Sequence, residues 1–402
     1  MGANADPSME RKRILFLPAD ALPLGLTRSY WLAFALARHF QTYYLRWTDP
    51  RSAALARRRS SGLDSPMAFS KSLLGLTRLE STRPGEGRTL QLVGAPVALN
   101  ATLNKLLGEL GARRSARAFN ARTVRRLAQR LKADAVFHGD GFYYFPESLD
   151  NRLPVFSDIQ DDFDAPESAT QDYEYVYGKC NFNKCRANFA VSSAAAERFG
   201  KLMSARFQVV PNGVHLEPFK TATGERIAAL RARLGLSGRY VISYIGTASH
   251  MDQRFVLELA DLLASGMPDA TLLIVGPPVA VRRNIVAAGF VDPAEIHAHF
   301  LASDLGICPA PLPARNFIYH SVPLKIVQYG AARKFVLSVP NRWLEESRFP
   351  SVRMAPLDAR LWVEQLAALR ERHWQPEWDE TWRRFDWDSV AQPIIDAVRS
   401  SL

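Results

Sequence analysis

Asp158, Asp161, Asp162 and Asp164 stand within seven positions of VFSDIQDDFDAP, residues 155–166, directly after an apolar run. Carboxylates so close repel one another, and three readings fit them: metal ligation, a general base whose pKa its neighbours lift, or a solvated loop. Far downstream, Lys325 and Gln328 stand three apart in PLKIVQY, residues 323–329. On a helix that spacing puts both on nearly one face, and a helix N-terminus offers free N–H groups and a partial positive charge to an anion. In GTASHMD, residues 246–252, the backbone near Gly246 with Thr247 and Ser249 fits a loop that approaches phosphates closely. Asn212-Gly213, in VVPNGVHLEPF, supplies a turn in which positive φ costs little.

The elements that must carry these residues alternate along the chain. Apolar, Val- and Phe-rich runs predict strands at 13–18, 43–47, 90–94, 135–139, 154–158, 189–193 and 207–211, with a helix at 28–40. After a polar linker near 220–224 the pattern restarts, with strands predicted at 240–246, 270–276, 304–310 and 335–340. Helices are predicted at 227–234, 255–264, 296–302 and 324–332. Continuous apolar runs between helices indicate parallel sheets covered on both faces, hence an α/β chain of two tandem Rossmann-like domains. Ligands of such sheets bind beyond the carboxyl ends of strands and in the interdomain cleft. The tryptophans Trp374, Trp378, Trp382 and Trp387 are expected to pack rather than to react.

The 402 residues, 47% hydrophobic and 23% charged, suffice for two cores. No uncharged apolar stretch approaches the roughly 20 residues that cross a bilayer, and MGANADPSMERKR lacks the apolar centre of a secretory signal, so a cytoplasmic protein is expected. Three cysteines are too few for a disulfide framework and lack partners at zinc spacing. The net charge of +11 is concentrated in residues 101–132, which hold nine Lys or Arg against the single acid Glu109. Leu103, Leu106, Leu107 and Leu110, then Val124, Leu127, Ala128 and Leu131, make this segment two basic amphipathic helices. Their Arg faces fit either plain solvation or an anionic membrane surface; nucleic acid ranks below the membrane because no zinc finger, RNP-type motif or interleaved aromatics occur there.

Taken in order, these segments resemble the GT-B fold glycosyltransferases of the group 1 type. Ala190-Val191-Ser192-Ser193 and then PNGV at 211–214 resemble the strand and interdomain hinge of that family. Ile245-Gly246-Thr247, Asp252, Pro268-Asp269-Ala270 and Ile274-Val275-Gly276-Pro277 resemble its first nucleotide-domain strands. Ala302 to Ile307, Pro323 to Tyr329, Ala331 to Lys334 and Trp387-Asp388-Ser389-Val390 resemble its donor signature and terminal helix. The resemblance implies an acceptor domain over 1–215, a nucleotide-sugar domain over 216–375 and a tail, 376–402, crossing back to the first.

It also implies a donor site of Gly246, Thr247, Met251, Tyr319, Lys325 and Gln328, in which Gln328 reaches a ribose. Arg28, Asp158, His250 and Arg315 are secondary candidates. Among members, the Lys-x-x-Gln-Tyr segment is similar to that of the inverting xanthan glucuronosyltransferase; many retaining relatives carry glutamate at the position of Gln328. By the same resemblance Asp161, with Asp162 next in line, is the base, while Asp158 orients loop backbone or Arg28. Arg333 departs from the glycine usual in the family. The expected activity is metal-independent transfer of a sugar from a nucleotide diphosphate sugar to a lipid-linked or glycan acceptor in surface polysaccharide synthesis, with no cofactor, on the inner membrane face. A retaining transferase, a GT-B epimerase and a non-catalytic nucleotide-sugar-binding protein are the alternatives.

Overall fold

The computed structural model describes residues 11–18, 27–48, 79–82, 90–96, 120–139, 152–160, 182–280, 282–311 and 322–402. The first sheet contains β1 (Arg13–Leu17), β2 (Gln41–Thr48), β3 (Leu79–Thr82), β4 (Leu90–Pro96), β5 (Ala135–Gly139), β6 (Val155–Ile159), β7 (Ala187–Ala190) and β8 (Gln208–Val209), in the order β3-β4-β2-β1-β5-β6-β7-β8. All its pairs are parallel except β3 with β4. The second sheet contains β9 (Tyr240–Ile245), β10 (Ala270–Val275), β11 (Ile285–Gly289), β12 (Leu305–Cys308), β13 (Phe335–Ser338) and β14 (Val352–Met354), in the wholly parallel order β11-β10-β9-β12-β13-β14. In both sheets the chain first builds outward on one side of its first strand, then on the other. The switch points are therefore β1/β5 and β9/β12, where crevices form at carboxyl ends.

Local chemistry starts the helices where it does. Thr27 accepts the Tyr30 N–H to open α1 (Arg28–Leu36), and a helix runs over 120–131 (α2). Ser192 caps α3 (Ser193–Met203) and Thr223 caps α4 (Gly224–Arg233). Asp252 caps α5 (Gln253–Gly266); α6 (Ile296–Leu301) and α7 (Leu324–Ala331) follow. Asn341 caps α8 (Arg342–Ser347) and Asp358 caps α9 (Ala359–Arg370), while the tail forms α10 (Trp378–Arg383), α11 (Trp387–Val390) and α12 (Gln392–Ser401). These side-chain acceptors satisfy N–H groups that the helix itself cannot.

One apolar cluster runs without a break from Phe16, Phe137 and Phe189 of the first sheet, through Val214 of the linker, to Tyr329 and the tail residues Trp382, Trp387 and Ile394. A second fills the other face of the second sheet around Trp362. The tail returns to the linker by a parallel bridge, Val214 N–H to Phe385 O at 2.8 Å and Trp387 N–H to Val214 O at 3.1 Å. It reaches Arg38, two residues past α1, through Asp388 (2.7 Å).

Several elements differ from the sequence reading. β3 makes the first sheet mixed, and β11, β14 and α9 were not predicted. The strand expected over 207–211 shrinks to Gln208–Val209, both exposed at the sheet edge, where Pro211 ends it. Of the basic segment, the first helix lies outside the described residues. The second, α2, buries Val124, Leu127 and Ala128 and exposes Arg122, Arg125, Arg126 and Arg130.

Candidate functional site

The carboxyl ends of β9, β10 and β12 and the start of α7 meet at one place. Lys325 lies over the ring of Tyr244, Nζ to centroid 4.2 Å, and donates to Tyr244 Oη at 3.0 Å. Tyr244 in turn donates to Thr247 O at 2.7 Å, pinning the loop that leaves β9. The approach is close enough that a Cβ on Gly246 would stand 2.7 Å from Lys325 Nζ. Next to it Gly276 has φ +110°, and a Cβ there would stand 2.0 Å from Gly246 O, so a side chain at 276 would force the backbone to move, while one at 246 would displace the Lys325 amine. Pro323 opens α7 with no side chain capping its first turn. The amine is thus presented beside backbone N–H groups at a helix start, on a glycine-walled floor.

The electrostatics single out Lys325. Among the described residues no carboxylate pairs with it. Burial lowers its pKa to about 8. Burial likewise pushes the Cys308 thiol up to about 12 and raises Tyr244, so both stay neutral. His250 is held down to about 4 by burial and then by the Lys325 charge, leaving its imidazole neutral at physiological pH. A half-buried cation without a carboxylate beside it suits an anion from outside. Gln328, half-buried on the same face of α7, is the adjoining amide.

Thr247 is exposed at the strand end. Met251, expected in the cleft, is instead 3% exposed and packed into the second-domain core, because the short turn Ala248–His250 rotates it inward ahead of α5. Arg333 faces the tail, its Nε donating to Asp379 Oδ1 at 3.0 Å, and not the strand ends. Its φ of +57° gives a physical reason for the glycine of the resembling family: the position closes α7 in the left-handed region. Asp161, Asp162, Arg315 and Tyr319 lie outside the described residues, as do Asp164, Asn316 and His320.

On the facing side, Arg28 and Asp158 bind each other. Nε and Nη2 of Arg28 hold the two oxygens of Asp158, each at 2.8 Å, with both residues buried. Gln160, the last described residue before the acid pair, is buried against Ser29 of α1. Sequence reasoning missed Tyr244, Cys308 and Phe290. Phe290 follows β11, is 83% exposed, and its neighbour Gly289 accepts the Gly276 N–H at 2.8 Å, so an open aromatic stands beside the glycine floor. An aromatic after Val-Ala-Ala-Gly was the one signal available.

No protein-family model matches the chain, and no curated protein does. Solved structures do resemble it throughout. Anabaena HepE, crystallised with UDP and glucose, is 15% identical with a TM-score of 0.65, covering 97% of this chain and 100% of its own. The UDP-forming α,α-trehalose-phosphate synthase of Burkholderia vietnamiensis is 12% identical with a TM-score of 0.66, covering 98% and 99%. Sucrose-phosphate synthase from Thermosynechococcus elongatus is 13% identical with a TM-score of 0.65, covering 97% and 99%. At such identities the likeness establishes the fold: two tandem Rossmann-like domains in the GT-B arrangement.

Proposed function

We propose that the chain is a metal-independent glycosyltransferase that moves a sugar from a nucleotide diphosphate sugar to a lipid-linked or glycan acceptor, with inversion, in surface polysaccharide synthesis. The observation that carries this reading is Lys325: a half-buried cation at the start of α7, walled by Gly246, with no acid partner among the described residues. A diphosphate fits that environment, and the charge it gains as the leaving group is met by Lys325 and the helix N-terminus without a metal. Gln328 then reaches the ribose, and the exposed Phe290 offers a face for the base. UDP is the nucleotide of choice, because HepE and the Escherichia coli trehalose-6-phosphate protein of the same fold were crystallised with UDP or a UDP sugar.

On the acceptor side Asp161, with Asp162 next in line, takes the hydroxyl proton while the acceptor oxygen bonds to the anomeric carbon and the nucleotide diphosphate departs. Turnover of UDP, GDP and dTDP sugars in EDTA tests this. Undiminished activity in EDTA is expected, with a loss of about 100-fold or more in Lys325→Ala and near-complete loss in Asp161→Ala. Abolition by EDTA would defeat the metal-free reading. Normal turnover by Asp161→Ala would remove the base and favour a binding protein instead.

The exposed arginines of α2 support docking on an anionic membrane surface from the cytoplasmic side, each adding about 1 kcal/mol near such a surface. Among the described residues no helix is long and apolar enough to cross a membrane. Flotation with liposomes is expected only when they contain acidic lipid, and binding should fade as salt rises.

A further inference from the structure

Asn212 belongs to neither the acid segment nor α7, yet its amide is engaged at both ends. Oδ1 accepts from Arg28 Nη1 at 3.3 Å, and Nδ2 donates to Val322 O at 2.6 Å. The same Nη1 donates to Pro211 O at 2.7 Å, while the rest of the guanidinium grips Asp158. A guanidinium only donates, so it dictates which end of the amide faces it, and the NH2 end is left for Val322. Val322 stands two residues before α7 and three before Lys325; Asp158 stands three before Asp161. A single chain of hydrogen bonds therefore runs from the acid segment of the first domain, through the linker, to the cationic helix of the second. All four residues are buried, Asn212 at 8% being the most exposed, and Trp387 closes the assembly with its ring 6.0 Å from the guanidinium. Buried from water, such a chain holds its geometry tightly.

We propose that Asp158, Arg28 and Asn212 are positioning residues that set the separation between the end of β6, from which the acid segment departs, and the phosphate-binding helix. In its chemistry the proposal rests on the glycosyl-transfer reading; in its mechanics it does not. Asn212→Asp tests it, because aspartate keeps the size and the acceptor for Arg28 but turns a lone pair toward Val322 O. Arg28→Lys keeps the charge and loses the two-pronged grip. The expected result for Asn212→Asp is a kcat roughly 30-fold lower with KM for the UDP sugar and calorimetric UDP affinity within about 3-fold, since small misplacements of reacting groups act on turnover. Arg28→Lys should fall between it and the parent.

An unchanged kcat overturns the proposal. So does a kcat that falls only in step with UDP affinity and melting temperature, the pattern of a purely structural role. If the parent chain turns over no nucleotide sugar, the functional reading fails and small-angle scattering decides the mechanics. A broader distribution of interdomain distances in Asn212→Asp supports the relay, and an unaltered curve overturns it.

Discussion

Lys325 keeps its proton against the pull of burial, and that conflict sets the pH behaviour of the site. Its pKa falls from 10.5 to about 8 in the fold. Below about 8 the lysine is charged whether the chain is folded or not, and the folded state carries the full cost of burying the charge. Between about 8 and 10.5 the folded protein releases the proton first, the unfolded state binds more protons, and stability rises with pH. On the proposed reading a diphosphate reverses the preference, because it would bind the charged amine. UDP affinity is expected to be level below about pH 8 and to weaken by up to about tenfold per pH unit above it. Lys325→Arg should flatten the profile. Calorimetry across pH 6.5–10 checks this, and an affinity indifferent to pH in the parent chain would refute it. That Lys325 and Gln328 stand at a helix start and Gly246 at a strand end was legible in the sequence, because both are local features. The clasp of Arg28 on Asp158 was reached only through the family resemblance, as one of two roles for Asp158, and the share of Asn212 in it was not foreseen: the partners stand 130 and 184 residues apart, and no spacing in a single sequence announces them. Met251 misled because polar neighbours hide the turn that drives it inward.

At the scale of elements, the central strands were readable because burial on both faces demands an unbroken apolar run, as in β10, buried throughout. Edge strands escape that demand. β11 is mostly half-buried, β14 is three residues long, and neither needs a pattern strong enough to stand out. The ends of α7 are set by tight packing that spacing does not encode. A Cβ on Gly330 would come 2.1 Å from Trp382 Cδ2, and Trp382 is 2% exposed. Gly330→Ala is therefore expected to destabilise the fold by about 1–3 kcal/mol. Three residues on, Arg333 at φ +57° carries a left-handed cost of about 1 kcal/mol that glycine does not. Its pair with Asp379 is largely solvent-exposed on the arginine side and offsets less than about 1 kcal/mol. Arg333→Gly should then leave stability equal or slightly raised. A loss beyond about 1 kcal/mol in urea unfolding would show the Asp379 pair to be the stronger influence.

At the scale of the whole molecule, besides the hydrogen-bond chain through Asn212, surface ion pairs and the returning tail join the domains among the described residues, and their burial predicts unequal weight. On the surface, Arg342 of α8 reaches Glu197 of α3 at 3.2 Å and Glu346 accepts from Ser193. These groups sit in water, where Coulomb attraction is screened and side-chain ordering opposes it. In the interior, Trp387 of the returning tail is 2% exposed, lies so close to the linker that a Cβ on Gly213 would stand 2.8 Å from its Cδ2, and covers Arg28. The tail thus pins the linker from which both domains hang, and it does so with apolar area rather than charge. Trp387→Ala is expected to cost about 3–5 kcal/mol and, by freeing the linker, to split denaturant unfolding into two transitions, one for each sheet. Arg342→Ala should leave a single transition, its midpoint shifted by only about a degree or two on heating. If instead Arg342→Ala uncouples the domains and Trp387→Ala melts as one unit, the arrangement of the cleft is governed by surface charge, and its activity should then depend steeply on ionic strength.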